Sequence, residues 1–303
     1  MNTTDSIIIG EGFNGLFVGI KLAEKGYNVK IFEKNAKPLF VTNIRFIFPD
    51  NYIFLKKFLH KLNISYTYIS NNLTHTICNV ISNLDKMPTS LQQETLFIDA
   101  CNNILNKNTI NLLKNELYEF IFLSNIDTYS ALQLIKKNYV NVQQYIKITE
   151  SSLSILKKMR EYFKSLNGQI YYNNTVYLVL LNSSNQFICN INNRNWYSNI
   201  LISCVNIDNI LTIFNWNDEM IEYLKSLSNI KNKKVYNVIL NKCHISIPIK
   251  ISTSVRKFNL NNRKIPNILG NDIHFYVCNE DFSNTPYWIN GTTDIVNDIN
   301  KYI

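Results

Sequence analysis

An α/β fold built on a parallel sheet is what the sequence predicts, and three observations predict it. Helix-like and strand-like segments alternate along the chain instead of separating into blocks. Residues 6–32 read as strand, helix and strand, which is one βαβ unit. A glycine-rich turn sits between the first strand and its helix. The chain is 303 residues long, enough for one large domain or two ordinary ones. It is 46% hydrophobic and 17% charged, with 17 Phe and 18 Tyr against 6 Pro and 8 Gly, so it can fill a core and is not a disordered composition.

The elements follow in order. Residues 6–9, Ser-Ile-Ile-Ile, are a short buried strand. Residues 15–25 read as a helix with Leu16, Ile20, Leu22 and Ala23 on its apolar face and Gly26 after its end. Residues 28–32 alternate as a second strand. From about 52 to 145 the pattern is mainly helical, at 52–62, 91–105, 110–122 and 130–137. A helix over 152–166 stops at Asn167-Gly168. Strand-like runs come at 169–172, 176–181, 187–191 and 200–203. After a helix around 219–227, residues 235–240 and 245–251 read as strands, then 273–278 as a strand and 289–302 as a helix. Internal repeats and Gly/Ser/Pro linkers are absent.

Several classes are excluded at this level. No apolar run reaches the length of a transmembrane helix, and the first residues lack the basic start of a signal peptide. Cys78, Cys101, Cys189, Cys204, Cys243 and Cys278 form no CxxC pair, and His60, His75, His244 and His274 show no ligand spacing, so no metal site is expected. Unpaired cysteines of this kind suit a reducing, cytoplasmic setting. The net charge of +9 is spread as +2, +5 and +2 over successive thirds of the chain. A nucleic-acid groove needs a concentrated stripe, so nucleic acid is not an expected partner. An anionic cofactor or a small-molecule substrate suits a diffuse excess. The 48 Asn, with abundant Ile and Lys, fit an AT-rich coding bias; scattered among apolar residues, they are no prion-like tract. No GxSxG hydrolase elbow occurs.

The sharpest feature is Gly10-Glu11-Gly12-Phe13-Asn14-Gly15. Gly10 makes the turn from strand to helix, Gly12 lets a pyrophosphate approach the backbone, and Gly15 lets the helix pack against the strand. The helix start offers N–H groups and a positive dipole to the phosphates. Glu33 closes the second strand 18 residues after Gly15, where its carboxylate can accept from a ribose diol. Lys34 beside it reads either as a partner of a 2′-phosphate or as a solvated lysine. Glu11 is expected to point to solvent or to pack locally.

Residues 5–33 resemble the N-terminus of the flavin amine oxidase superfamily, which includes monoamine oxidases, protoporphyrinogen oxidase, phytoene desaturases and, more distantly, UDP-galactopyranose mutase. Phe48-Pro49 with the helix at 52–62 is similar to the approach to that family's substrate domain. Leu166-Asn167-Gly168-Gln169-Ile170 to Val176 resembles its helix, glycine, strand and turn to a valine, and the resemblance gives Val176 a backbone contact with adenine. Ile200-Leu201-Ile202-Ser203 resembles the strand that returns to the FAD domain. Cys278-Asn279-Glu280-Asp281-Phe282-Ser283 with Trp288-Ile289-Asn290-Gly291-Thr292 resembles the C-terminal flavin motif. There Glu280 would address the ribityl chain, Trp288 would border the isoalloxazine, and Ile289 and Gly291 would open a helix toward it. Departures stand at Phe40-Val41-Thr42, Ile148-Thr149-Glu150 and Asn279, where glycines are usual.

The resemblance implies FAD as cofactor and a Rossmann-like FAD/NAD(P)-binding domain made of residues 1–47, 146–210 and 268–303. An inserted α+β substrate domain would take 48–145 and 211–267. It implies an oxidoreductase that moves a hydride from a C–N or C–C bond to flavin N5. Two alternatives are a non-redox, mutase-like flavoenzyme and a flavin-binding scaffold without turnover. Lys234 reads either as the lysine that holds a water near the flavin or as a solvent-facing member of the run Lys231-Asn232-Lys233-Lys234. Trp288 and Tyr287 read as pocket wall or as core. Arg45 and Arg256 read as binders of an acidic substrate or as surface arginines.

Overall fold

The run Ile7-Ile8-Ile9 has no polar side chain to offer water, so it is buried on both sides at the centre of the main sheet, in β1 (Asn2–Ile9). The computed structural model of the chain describes residues 2–36, 47–50, 52–69, 72–116, 123–124, 126–139, 144–205, 209, 212–213, 233–240, 243–250, 274–278 and 296. Two units divide the chain: residues 1–41, 153–229 and 263–303 form one, and residues 42–152 and 230–262 the other.

In the first unit, β1 is followed by α1 (Phe13–Glu24) and β2 (Val29–Phe32), the expected βαβ unit. The sheet has seven strands. Its path is β6 (Gln169–Tyr171), β2, β1, β9 (Arg194–Ser203), β8 (Phe187–Ile191) and β7 (Val176–Leu181), and β12 (His274–Val277) also pairs with β9. β6, β2, β1, β9 and β12 pair parallel, and β7, β8 and β9 form an antiparallel meander. The sequence pattern marks only 200–203 of β9, because its first residues are exposed or half-buried and carry no apolar run. Leu16, Phe17 and Ile20 bury one face of α1.

The helix Ser152–Ser165 buries Ile155, Leu156, Met159 and Phe163. Asn167, not Gly168, takes the left-handed position after it, with φ 64°. Gly168 instead makes room for a ring, since a Cβ there would lie 2.3 Å from Phe163. All six described non-glycine residues with positive φ are Asn: 63, 167, 173, 185, 192 and 193. Asn tolerates that region better than other side chains, and this chain uses it where others use glycine.

The second unit has α2 (Ile53–Lys61), α3 (Asn72–Leu84), α4 (Thr89–Glu94), α5 (Phe97–Ile104), α6 (Lys107–Glu116) and α7 (Thr128–Tyr139). It also holds a three-stranded antiparallel sheet, β3 (Ile47–Pro49), β5 (Tyr145–Ile148) and β4 (Tyr66–Ile69), and the hairpin β10 (Lys233–Leu240) with β11 (Cys243–Lys250). The single helix expected over 91–105 is broken. Leu96 bridges Asp127, Phe97 N–H donates to the Ile126 carbonyl at 2.9 Å, and Thr128 N–H donates to the Thr95 carbonyl at 2.9 Å. These tertiary bonds outweigh the local helical preference. The helices expected at 219–227 and 289–302 lie outside the described residues, apart from a helical Val296.

Candidate dinucleotide-binding site

The glycine loop leaves the C-terminal end of β1. Gly10 N–H donates to the Phe32 carbonyl at 2.9 Å, which pins the loop to the end of β2, and its φ of +93° is one that a side chain would strain. A Cβ on Gly15 would lie 2.0 Å from the Gly10 carbonyl oxygen, so only glycine lets α1 start this close to the turn. Gly12 is the reverse case: a Cβ there meets no atom of the described residues within 4 Å. Gly12 is also the N-cap of α1, and among the described residues no side chain caps that helix. The residues present therefore fit a phosphate-bearing ligand, with open space over Gly12 and an uncapped helix start. The Phe13 ring is buried against Phe17, so its contribution to a ligand is limited to its backbone.

Glu33 follows β2 and is 7% exposed. Its Oε1 accepts from Asn35 N–H at 2.9 Å and from Asn35 Nδ2 at 2.7 Å. Its Oε2 accepts from Glu11 N–H, within the loop, at 3.1 Å. A carboxylate oxygen has two lone pairs, so Oε2 keeps capacity for a ribose hydroxyl. Asn174 N–H donates to the Glu33 carbonyl at 3.0 Å, which brings the chain just before Val176 to the same strand end. Val176 itself is buried at the start of β7, and Lys34 is exposed.

The expectation for Glu11 is overturned. The side chain does not point to solvent: it is fully buried, against partners distant in sequence. Its Oε1 accepts from Arg160 Nε and, at 3.0 Å, from the Tyr172 hydroxyl. Arg160 comes from the helix 152–165 and Tyr172 from the residue after β6. Burial and then the Glu11 charge push the Tyr172 hydroxyl up to about 12. Sequence reasoning singles out neither partner. The signal that could have found Arg160 is its place at helical spacing beside the buried Leu156, Met159 and Phe163.

The C-terminal segment returns to this strand end. β12 runs parallel to β9, Cys278 N–H donates to the Ser203 carbonyl at 2.8 Å, and Asn14 Nδ2 donates to the Cys278 carbonyl at 3.2 Å. Glu280, Tyr287, Trp288, Ile289 and Gly291 lie outside the described residues, as do Arg45 and Arg256. Lys234 lies on β10, opposite Ile249. The structure thus brings together Gly10, Gly12, Phe13, Asn14, Gly15, Glu33 and the approach to Val176. Among the described residues no group of His, Cys, Asp and Glu could hold a metal, and no helix is long and apolar enough to cross a membrane.

No family model matches the sequence, and no curated protein does. Solved structures share the fold. An oxidoreductase from Methanosarcina mazei is 13% identical with a TM-score of 0.52, over 74% of this chain and 64% of that one. A protein from Pyrococcus furiosus is 12% identical with a TM-score of 0.50, over 76% and 66%. A putrescine oxidase variant, from a redesign of its cofactor binding, is 12% identical with a TM-score of 0.50, over 73% and 63%. The chain spans less than two thirds of the length of each.

Proposed function

We propose that the protein is an FAD-dependent oxidoreductase of the amine-oxidase type acting on a small-molecule substrate. One observation carries the reading: the glycine loop, the Glu33 carboxylate and the end of β12 meet at one end of a parallel sheet, the place where such sheets bind dinucleotides. In this proposal Gly12, Phe13, Asn14 and Gly15 face the pyrophosphate with backbone N–H groups. Glu33 accepts from the adenosine ribose, and the Val176 backbone meets adenine. Glu280 addresses the ribityl chain, Ile289 and Gly291 begin a helix near the flavin, and Trp288 and Tyr287 wall the ring. Lys234 holds a water beside it.

The FAD domain takes 1–47, 146–210 and 268–303, and the substrate domain is inserted as 48–145 and 211–267. When bound, FAD supplies a two-electron acceptor for a hydride from a C–N or C–C bond. The protein's share is to orient substrate against that acceptor and to exclude water. Five free cysteines among the described residues support a reducing compartment.

The test is the absorption spectrum of the purified protein, followed by calorimetric titration with FAD and with NAD. Flavin bands and FAD binding in preference to NAD are expected. A colourless protein that binds NAD tightly and FAD not at all overturns the proposal. With flavin bound, product formed only from reduced flavin would replace the oxidase reading with the mutase-like one.

A further inference from the structure

We infer that Glu11 is a positioning residue for the dinucleotide: its buried carboxylate, held by Arg160 and Tyr172, fixes the glycine loop and, through it, the carboxylate of Glu33. The inference rests on the dinucleotide reading above and assigns work to three residues that reading leaves idle.

A loop that needs only to turn and to expose N–H groups has no use for a buried charge. Glu11 is nevertheless fully buried, and Arg160 is 21% exposed. Removing such a pair from water is unfavourable unless the geometry is good, so buried pairs are weak sources of stability; fixing one arrangement is the role best attested for them. Here the arrangement is specific. One oxygen of Glu11 receives a guanidinium N–H from the helix 152–165 and a hydroxyl from the end of β6. Both donors lie far away in sequence, 149 and 161 residues on.

Glu11 Oε2 and Arg160 Nη2 are buried and have no hydrogen-bond partner among the described residues. Nε and Nη2 form the edge a guanidinium uses for side-on pairing. The pair is thus held on one side of the fork, through Nε and Oε1.

The link to the ligand runs through the backbone of the same residue. Glu11 N–H donates to Glu33 Oε2, while Asn35 occupies Oε1. The orientation of Oε2, the oxygen left to accept from ribose, is set by where Glu11 sits. Tyr172 belongs to the same junction, because the carbonyl of its neighbour Tyr171 accepts from Glu33 N–H at 2.9 Å. The loop thus enters its ligand-ready form before the ligand arrives, which lowers the ordering cost of binding.

The experiment measures FAD and ADP-ribose binding by calorimetry, far below the melting temperature, for wild type, Glu11→Gln, Tyr172→Phe, Glu33→Gln and the Glu11→Gln/Glu33→Gln double variant. Near-ultraviolet circular dichroism checks that each is folded. Glu11→Gln should weaken both ligands about tenfold and Tyr172→Phe about threefold. Because Glu11 acts through Glu33, the double variant should bind about as weakly as Glu33→Gln alone. A merely structural role would lower the melting temperature and leave the affinity of the folded protein unchanged. Folded Glu11→Gln with unaltered affinity, or losses that multiply in the double variant, overturns the inference. If Glu11→Gln does not fold, Tyr172→Phe decides by the same criterion, since it removes one hydroxyl. Wild-type protein that binds neither ligand overturns the dinucleotide reading, and this inference with it.

Discussion

Gly12 and Gly15 lie three residues apart and should respond oppositely to a side chain. Gly15→Ala drives a Cβ to 2.0 Å from the Gly10 carbonyl, so the loop or the helix must move. The expected loss is about 3 kcal/mol of stability, read as a lower urea midpoint. Gly12→Val enters open space and should leave the midpoint nearly unchanged, yet lower FAD affinity at least about tenfold, roughly 1.4 kcal/mol. A Gly12 variant that keeps full FAD affinity would mean the phosphates lie elsewhere. Both glycines, and Glu33, are legible in the sequence because what they do depends on near neighbours. The burial of Glu11 is not, since its partners stand on the far side of a long intervening segment and no local pattern announces them.

The end of the helix 152–165 illustrates the same division among the elements. Asn167-Gly168 marks a helix stop in the sequence, and the stop is there, but the left-handed turn falls to the asparagine and the close approach to the glycine. Asn167→Gly should be close to neutral, since glycine accepts φ 64° freely. Gly168→Ala should be the costly change, about 2 kcal/mol, because its methyl group runs into the Phe163 ring. Thermal melting of the two variants ranks them, and the reverse ranking would contradict the assigned backbone. Elsewhere the strands at 176–181 and 187–191 are readable to the residue from their bounding Asn and Ser turns. The sheet of β3, β5 and β4 is not. Its strands are three and four residues long, too short for a period to emerge, and β5 pairs with strands distant in sequence. Helix α3 escapes the pattern as well. It lies in a segment thick with Asn and Thr, whose weak helical preference is offset by the burial of Ile77, Val80, Ile81 and Leu84.

For the molecule as a whole, burial of thiols sets an alkaline limit. Burial pushes Cys101 and Cys189 up to about 12 from an ordinary value of 9.0. The folded state then holds these protons more tightly than the unfolded state. Their contribution is complete below about pH 9 and is lost as the pH rises toward 12. The urea midpoint should therefore fall between pH 8.5 and pH 11, roughly the window those values define. Tyr172 adds to the same trend above its ordinary value of 10.0, so Tyr172→Phe should flatten the upper part of the profile. A midpoint that stays level across this window would show that the thiols are accessible to hydroxide in the native protein. The α/β class and the βαβ start are readable from periodicity. The pairing of β9 with β1 and with β12 is not, because a parallel pair distant in sequence carries no turn signature.

That pairing has a kinetic side. Asn2 lies opposite Trp196, so the central strand stays without its neighbour on one side until residues 194–203 have been made. Contacts of such long range close slowly, since the loop entropy is lost before the pairing returns anything. On the ribosome the N-terminal βαβ unit must wait with an apolar strand edge open, and that edge is the place where a crowded or heated cell would first see this protein stick to its neighbours.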